Sequence, residues 1–152
     1  MKRIVLISCT KSKNESAKER PLPAKDLYTG AIFKKAYQYA KQLNPDRTYI
    51  LSAKYGLLKP AEKICYYNET LKNKSSQVRR LWADRILDQL KKERLNLDQD
   101  EFIILAGQTY CKDLTGPANS GKISRYETPY EGKRIGEILH FLNTNINNEF
   151  DE

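Results

Sequence analysis

Three short apolar runs constrain this chain more than any other feature. Arg3–Ser8 (RIVLIS), Thr48–Ser52 (TYILS) and Glu101–Ala106 (EFIILA) are near-continuous stretches of β-branched and aliphatic residues. Such runs are buried on both faces, as in a parallel sheet covered by helices. Helical patterns lie between and after them. In Thr29–Leu43 the residues Ile32, Phe33, Ala36, Tyr37, Ala40 and Leu43 recur at helical spacing until Asn44-Pro45 stops the helix. From about Ser76 to Leu95, Val78, Leu81, Trp82, Ile86 and Leu90 form a second stripe, with Ser75 or Ser76 placed to cap its N-terminus. Ile135, Ile138, Leu139 and Leu142 mark a third. The order β-α-β-loop-α-β-loop-α predicts a three-layer α/β fold, a small and mostly parallel sheet flanked by helices, with right-handed crossovers. A length of 152 residues suits one domain with one core. Residues 1–143 are assigned to it and 144–152 to a polar C-terminal tail.

The charge is unevenly spread. The net value of +8 comes from 27 Lys and Arg against 19 Asp and Glu. Residues 1–60 hold 13 of the basic and 4 of the acidic residues, so the whole excess lies in the first two-fifths of the chain. Such a field favours polyanions, although a lysine-rich solubilising surface would look the same. No apolar run approaches the roughly 20 residues of a membrane span. The four apolar residues after Lys2-Arg3 fall short of the roughly 7–15 that a signal peptide needs. A cytoplasmic protein without a membrane partner is expected. Cys9, Cys65 and Cys111 are odd in number, widely spaced and without a CxxC pair, against a disulfide framework and against zinc. No metal or cofactor is expected.

In open α/β sheets, ligands bind beyond the carboxyl ends of the strands. The first strand runs into Ser8-Cys9-Thr10-Lys11-Ser12-Lys13, the second into Ser52-Ala53-Lys54-Tyr55-Gly56 and the third into Gly107-Gln108-Thr109-Tyr110. In a parallel sheet these three turns share one edge. Small hydroxyls, ammonium groups and free backbone N–H groups suit phosphate, and tyrosines suit stacking on a base or sugar. Three polar turns that merely share an edge are the plain alternative. Cys9, followed by lysines, has the setting of an activated thiol or of a structural cysteine. His140 is the only histidine and falls in the last helical pattern, so a Ser/His or Cys/His dyad is not expected. Acid–base chemistry then falls to Asp26, Glu69, Asp113, a lysine or a tyrosine. Asp26 could equally serve a helix N-terminus.

Two near-motifs carry little. Gly116–Lys122 has P-loop spacing, but Ile123 stands where the metal-binding hydroxyl belongs and no strand leads into it. Ala106-Gly107-Gln108-Thr109-Tyr110 is faintly similar to the water-activating loop of uracil-DNA glycosylases, without its Asp-Pro pair. The ten tyrosines form a set. Tyr37, Tyr39 and Tyr49 fall on element patterns, whereas Tyr28, Tyr55, Tyr66, Tyr67, Tyr110, Tyr126 and Tyr130 fall in loops or at element starts. There they suit nucleotide stacking or packing of the loops onto the core.

The segments Ile7–Lys13, Ala24–Gly30 with Phe33, and Ile50–Pro60 together resemble an uncharacterised bacterial and phage domain family related to the YaaA-type peroxide-stress proteins. Tyr67–Leu71, Leu105–Gly107 with Tyr110, and Thr128–Tyr130 through Gly136 extend the resemblance over almost the whole chain. The Leu-Ser-x-x-Tyr-Gly-x-Leu-x-Pro block at Leu51–Pro60 is its most specific part. One departure is Asn68, where aspartate is expected. The resemblance implies association with DNA, protection during oxidative stress, and a nucleobase- or DNA-handling α/β core.

The expected function is an enzyme acting on a nucleobase or nucleotide in DNA, by hydrolysis of the N-glycosidic bond. Asp26, Tyr55 and Glu69 are its candidate catalytic residues. Ser8, Cys9, Lys11, Lys13, Tyr28, Ser52, Lys54, Gly56, Gly107 and Tyr110 are candidates for binding nucleic acid or phosphate. The alternatives are a non-catalytic DNA-binding protein and a small-nucleotide-binding enzyme.

Overall fold

The structure, a computed structural model, describes residues 1–146. In chain order the elements are β1 (Arg3–Ser8), a 3₁₀ turn (Glu15–Lys18), β2 (Leu22–Pro23), α1 (Ala24–Leu27), α2 (Ala31–Gln42), β3 (Arg47–Ser52), β4 (Gly56–Leu58), β5 (Lys63–Ile64), α3 (Ser76–Lys92), β6 (Glu101–Leu105), α4 (Gln108–Cys111), β7 (Tyr126–Glu127) and α5 (Ile135–Asn145). The main sheet has five strands in the order β4-β3-β1-β6-β7. Every pairing in it is parallel except the β3–β4 hairpin. A separate antiparallel pair joins β2 to β5.

The central strand shows why the apolar runs dictate this arrangement. Ile4, Val5, Leu6 and Ile7 are each at most 1% exposed. Successive strand residues point to opposite faces, so four in a row can be buried only if both faces are covered. Burying each such side chain is worth about 1.5–3 kcal/mol. The two crossovers supply the cover. α2 carries the chain from β1 to β3, and α3 carries it from β3 back past β1 to β6. The two connections run in opposite directions across the sheet. Their common right-handedness therefore puts α2 and α3 on opposite faces. α5 packs on α2, and α3 packs on β4 and α4, completing three layers.

The structure is richer than the expected pattern in the two long connections. Tyr55–Lys74 holds β4 and β5, and Gly107–Gly132 holds α4 and β7. Helix ends also differ. α2 starts at Ala31 because Gly30 is extended and serves as its N-cap. α3 is capped by the Ser75 hydroxyl, which accepts from the Val78 N–H at 3.2 Å. Thr144 and Asn145, assigned to the tail, continue α5, and residues 147–152 lie outside the described residues. Among the described residues no helix is long and apolar enough to cross a membrane.

Candidate functional site at the carboxyl ends of the strands

The connection from β1 runs to β3 on one side and that from β6 runs to β7 on the other, so the topological switch point lies between β1 and β6, beside the turn that ends β3. Ser8 faces Leu51 in the register, and the Cys9 N–H continues the pairing by donating to the Leu51 carbonyl at 2.9 Å. Ser52, fully buried, ends β3 at this point. Its hydroxyl oxygen accepts from the N–H groups of Lys54 (3.2 Å) and Tyr55 (3.0 Å), which turns the chain into β4. The same hydroxyl donates to the Tyr67 hydroxyl at 2.9 Å, and Tyr67 meets the Tyr28 hydroxyl at 2.5 Å. Trp82 of α3 donates its indole N–H to the Ser52 carbonyl at 2.9 Å. Arg85, one turn further on, donates to the carbonyls of Lys54 (3.1 Å) and Tyr55 (3.0 Å). One helix, α3, and the Tyr67 loop thus hold the turn in place, with Tyr28 behind Tyr67.

A second branch starts at Cys9, whose thiol donates to the Tyr110 hydroxyl at 3.5 Å. The Tyr110 ring meets Trp82 edge-on at 5.5 Å, and Tyr55 meets Tyr67 likewise at 5.5 Å. The half-buried Lys13 closes the top. Its Nζ lies 4.6 Å from the Tyr67 ring centroid and 5.9 Å from that of Tyr28, and it donates to the Lys11 carbonyl at 3.2 Å. Burial holds the Lys13 ammonium below its ordinary pKa, with Cys9 opposing that shift. Burial pushes the hydroxyls of Tyr28, Tyr67 and Tyr110 up, and the facing Cys9 sulfur adds to it. At neutral pH the network is therefore a set of uncharged hydroxyls beneath one cation.

The other candidates fall around this network. Lys11 and Lys54 are exposed on the two turns, and the Lys54 Nζ lies 5.3 Å from the half-buried Tyr55 ring. Ser8 is half-buried at the end of β1. Gly107 is the exposed N-cap of α4. Gly56 answers to the fold: its φ is +77°, and a methyl group there would stand 2.5 Å from the Gln89 Oε1. Asp26 and Glu69 are exposed, two residues before Tyr28 and two after Tyr67, and neither is a hydrogen-bonding member of the network. Asp26 caps no helix; it lies in the first turn of α1, whose N-cap is Pro23. His140 and Cys65 are exposed elsewhere, and the buried Cys111 thiol is pushed up to about 11 by desolvation.

Sequence reasoning did not select Tyr67, Trp82, Arg85 or Thr10 as site residues. Tyr67 links Ser52 to Tyr28, and its sequence signals are membership of the loop tyrosines and of the Tyr67–Leu71 segment. The Thr10 hydroxyl is buried without a partner, and a methyl group on Gly30 would lie 3.5 Å from it. The network is closed. The cleft beside Tyr110, lined by Thr109, Gln108 and the first turn of α3, holds about 60 Å³, room for roughly two waters. A larger cleft lies at the opposite end of the sheet. Among the described residues no group of three or more His, Cys, Asp or Glu is placed to hold a metal.

No curated protein matches the chain. A family of unknown function, DUF6884, matches residues 4–144, which take in every element but the first residue of β1 and the last of α5, and the chain belongs to that family.

Proposed function

We propose that this protein binds DNA along the carboxyl edge of its sheet and acts there on a nucleobase or nucleotide, by hydrolysis of the N-glycosidic bond. The observation that carries this reading is the buried Ser52–Tyr67–Tyr28 hydroxyl chain at the β3 turn, with Lys13 of the β1 turn seated over its rings and Lys11 and Lys54 exposed on the two turns. Lysines on two adjacent turns contact successive phosphates. Tyr55, half-buried beside the Lys54 ammonium, offers a stacking face at the rim. A base displaced from the stack rests against this rim, because the network beneath it is closed. Lys13 stabilises negative charge developing on the leaving base. Glu69 and Asp26, each two residues from a network tyrosine, are the carboxylates available to position water.

A second reading is a non-catalytic DNA-binding protein of the YaaA type. One observation favours it: the network holds no carboxylate among the described residues. Kinship with the YaaA-type proteins rests on the Leu51–Pro60 block, which forms the end of β3, the Ser52 turn and β4.

Two measurements test the proposal. Fluorescence anisotropy with short DNA should show affinity that falls with salt and weakens in Lys11→Ala/Lys54→Ala. Affinity independent of salt or of these lysines overturns both readings. Base release from damaged DNA, lost in Glu69→Gln or Asp26→Asn with binding retained, supports the enzyme. Binding without release, across substrates, leaves the non-catalytic reading.

A further inference from the structure

At the amino end of β3 the molecule carries a second, differently built surface. Arg47 and Tyr49 of β3, Lys59 and Pro60 after β4, and Lys92 to Arg94 at the end of α3 line an open groove of about 550 Å³. Four cations face one carboxylate there, and that carboxylate is engaged. The Tyr49 hydroxyl donates to the Glu93 Oε1 at 2.9 Å, and the Lys59 Nζ lies 3.7 Å from the same oxygen. Arg47 donates to the Tyr49 hydroxyl at 3.2 Å and to the Glu93 carbonyl at 2.7 Å, satisfying one of the free carbonyls at the end of α3. Helix capping therefore explains Arg47, and the Glu93 pair explains much of Lys59. Lys92 and Arg94 are exposed, and among the described residues neither has a carboxylate partner.

Arg94 is unusual in its backbone as well. Its φ is +64°. Its N–H donates to the Lys91 carbonyl at 2.9 Å, and the Leu95 N–H donates to the Leu90 carbonyl at 3.3 Å. This bond pair ends a helix through one left-handed residue, and glycine is the usual occupant. An arginine there carries backbone strain that glycine would not, and it sets a cation at the lip of the groove. The Tyr49 ring is 2% exposed, so the groove presents no aromatic face to a base. Its chemistry reads charge alone.

We infer that this groove binds the sugar–phosphate backbone of nucleic acid without sequence preference, with Lys92 and Arg94 as the principal phosphate contacts and Lys59 beside them. The six residues of β3 separate the groove from the Ser52 turn by about 17 Å, the rise of about five base pairs. One duplex lying parallel to β3, outside the β4 edge, reaches both ends of the sheet. This inference rests on the reading of the protein as one that binds nucleic acid.

The experiment is anisotropy of the full chain with a short duplex between about 50 and 200 mM salt. Wild type is compared with Lys92→Gln/Arg94→Gly, with Lys11→Ala/Lys54→Ala and with Arg94→Lys. Glycine accepts the left-handed backbone, so the groove variant should melt no lower than wild type. Its plot of log affinity against log salt should be shallower by about 1.8, for two lost phosphate contacts. Arg94→Lys should keep the wild-type slope. An unchanged slope in the groove variant, with weakened binding in Lys11→Ala/Lys54→Ala, overturns the groove and leaves the strand-end reading standing. A shallower slope in the groove variant alone supports the groove and overturns the strand-end reading. A slope lost equally in Arg94→Lys shows that charge is not what binds and overturns the groove. Wild-type binding that ignores salt overturns both.

Discussion

The two ends of the sheet solve opposite problems with similar residues. Both use tyrosine hydroxyls, basic side chains and a turn at one end of β3. At the carboxyl end the polar atoms are inside: Ser52 is fully buried, and Tyr28, Tyr67 and Tyr110 are 1–8% exposed. The Ser52, Tyr67 and Tyr28 hydroxyls satisfy one another, Tyr110 accepts from the Cys9 thiol, and Lys13 brings a charge close. At the amino end the charges are outside, and a single tyrosine hydroxyl organises them through Glu93. A buried polar network is costly to break, because each stranded hydroxyl keeps its desolvation penalty. An exposed cation contributes little to stability and can be spent on a ligand. Substitutions in the buried network at the carboxyl end should therefore act first on folding, and those of exposed cations at either end on binding alone.

The largest expected effect is at Trp82, which packs on Tyr110 and holds the Ser52 carbonyl. Trp82→Ala should cost about 3–5 kcal/mol by denaturant unfolding. A loss under 1 kcal/mol would show that α3 does not hold the turn.

Alkaline titration probes the buried tyrosines without mutation. In the unfolded chain tyrosines ionise near pH 10. Burial keeps Tyr28, Tyr67 and Tyr110 protonated above that pH in the native state. The native state then holds more protons, so stability is fully present below pH 10 and falls above it. The fall is about 1.4 kcal/mol per pH unit for each such hydroxyl. Lys13 works the other way, since its lowered pKa makes stability rise as pH approaches 10.5. One opposing group does not offset three. Tyrosinate absorbance of the buried set should appear together with unfolding; ionisation of all ten tyrosines in the folded protein would contradict a closed network.

Tyr67→Phe leaves the Ser52 and Tyr28 hydroxyls without their shared partner and should cost about 1–3 kcal/mol. Lys54→Gln and Lys92→Gln sit at the small end of the scale. Each should move stability by less than about 0.5 kcal/mol while weakening DNA binding. A stability loss at either comparable to that of Tyr67→Phe would erase the contrast between the buried network and the exposed cations.

The three inner strands were legible because the central one is covered on both sides and must be apolar at every position. β4 was not: Gly56-Leu57-Leu58 is three residues long, and the hairpin depends on the Ser52 hydroxyl and on Gln89 of a distant helix, whose Oε1 accepts from the Leu57 N–H at 3.0 Å. Ser52, Cys9, Tyr28 and Tyr110 could be picked out because they follow strands or fall in marked segments. Tyr67 opens a marked segment too, but its role there was not legible, since no local period shows that the partners of a loop residue lie 15 and 39 positions away. Asp26 and Glu69 were chosen by residue type, and type does not reveal that both are exposed. The groove residues Lys92 and Arg94 belong to the charge-balanced part of the chain, so the charge asymmetry pointed away from them.

The central claim is that nucleic acid meets the protein at the carboxyl edge of the sheet. A ¹⁵N-labelled sample titrated with a short oligonucleotide tests it most directly. The account predicts progressive shifts of the backbone amides of Thr10 to Lys13 and of Ala53 to Gly56. Saturable binding that leaves both turns unmoved would contradict it.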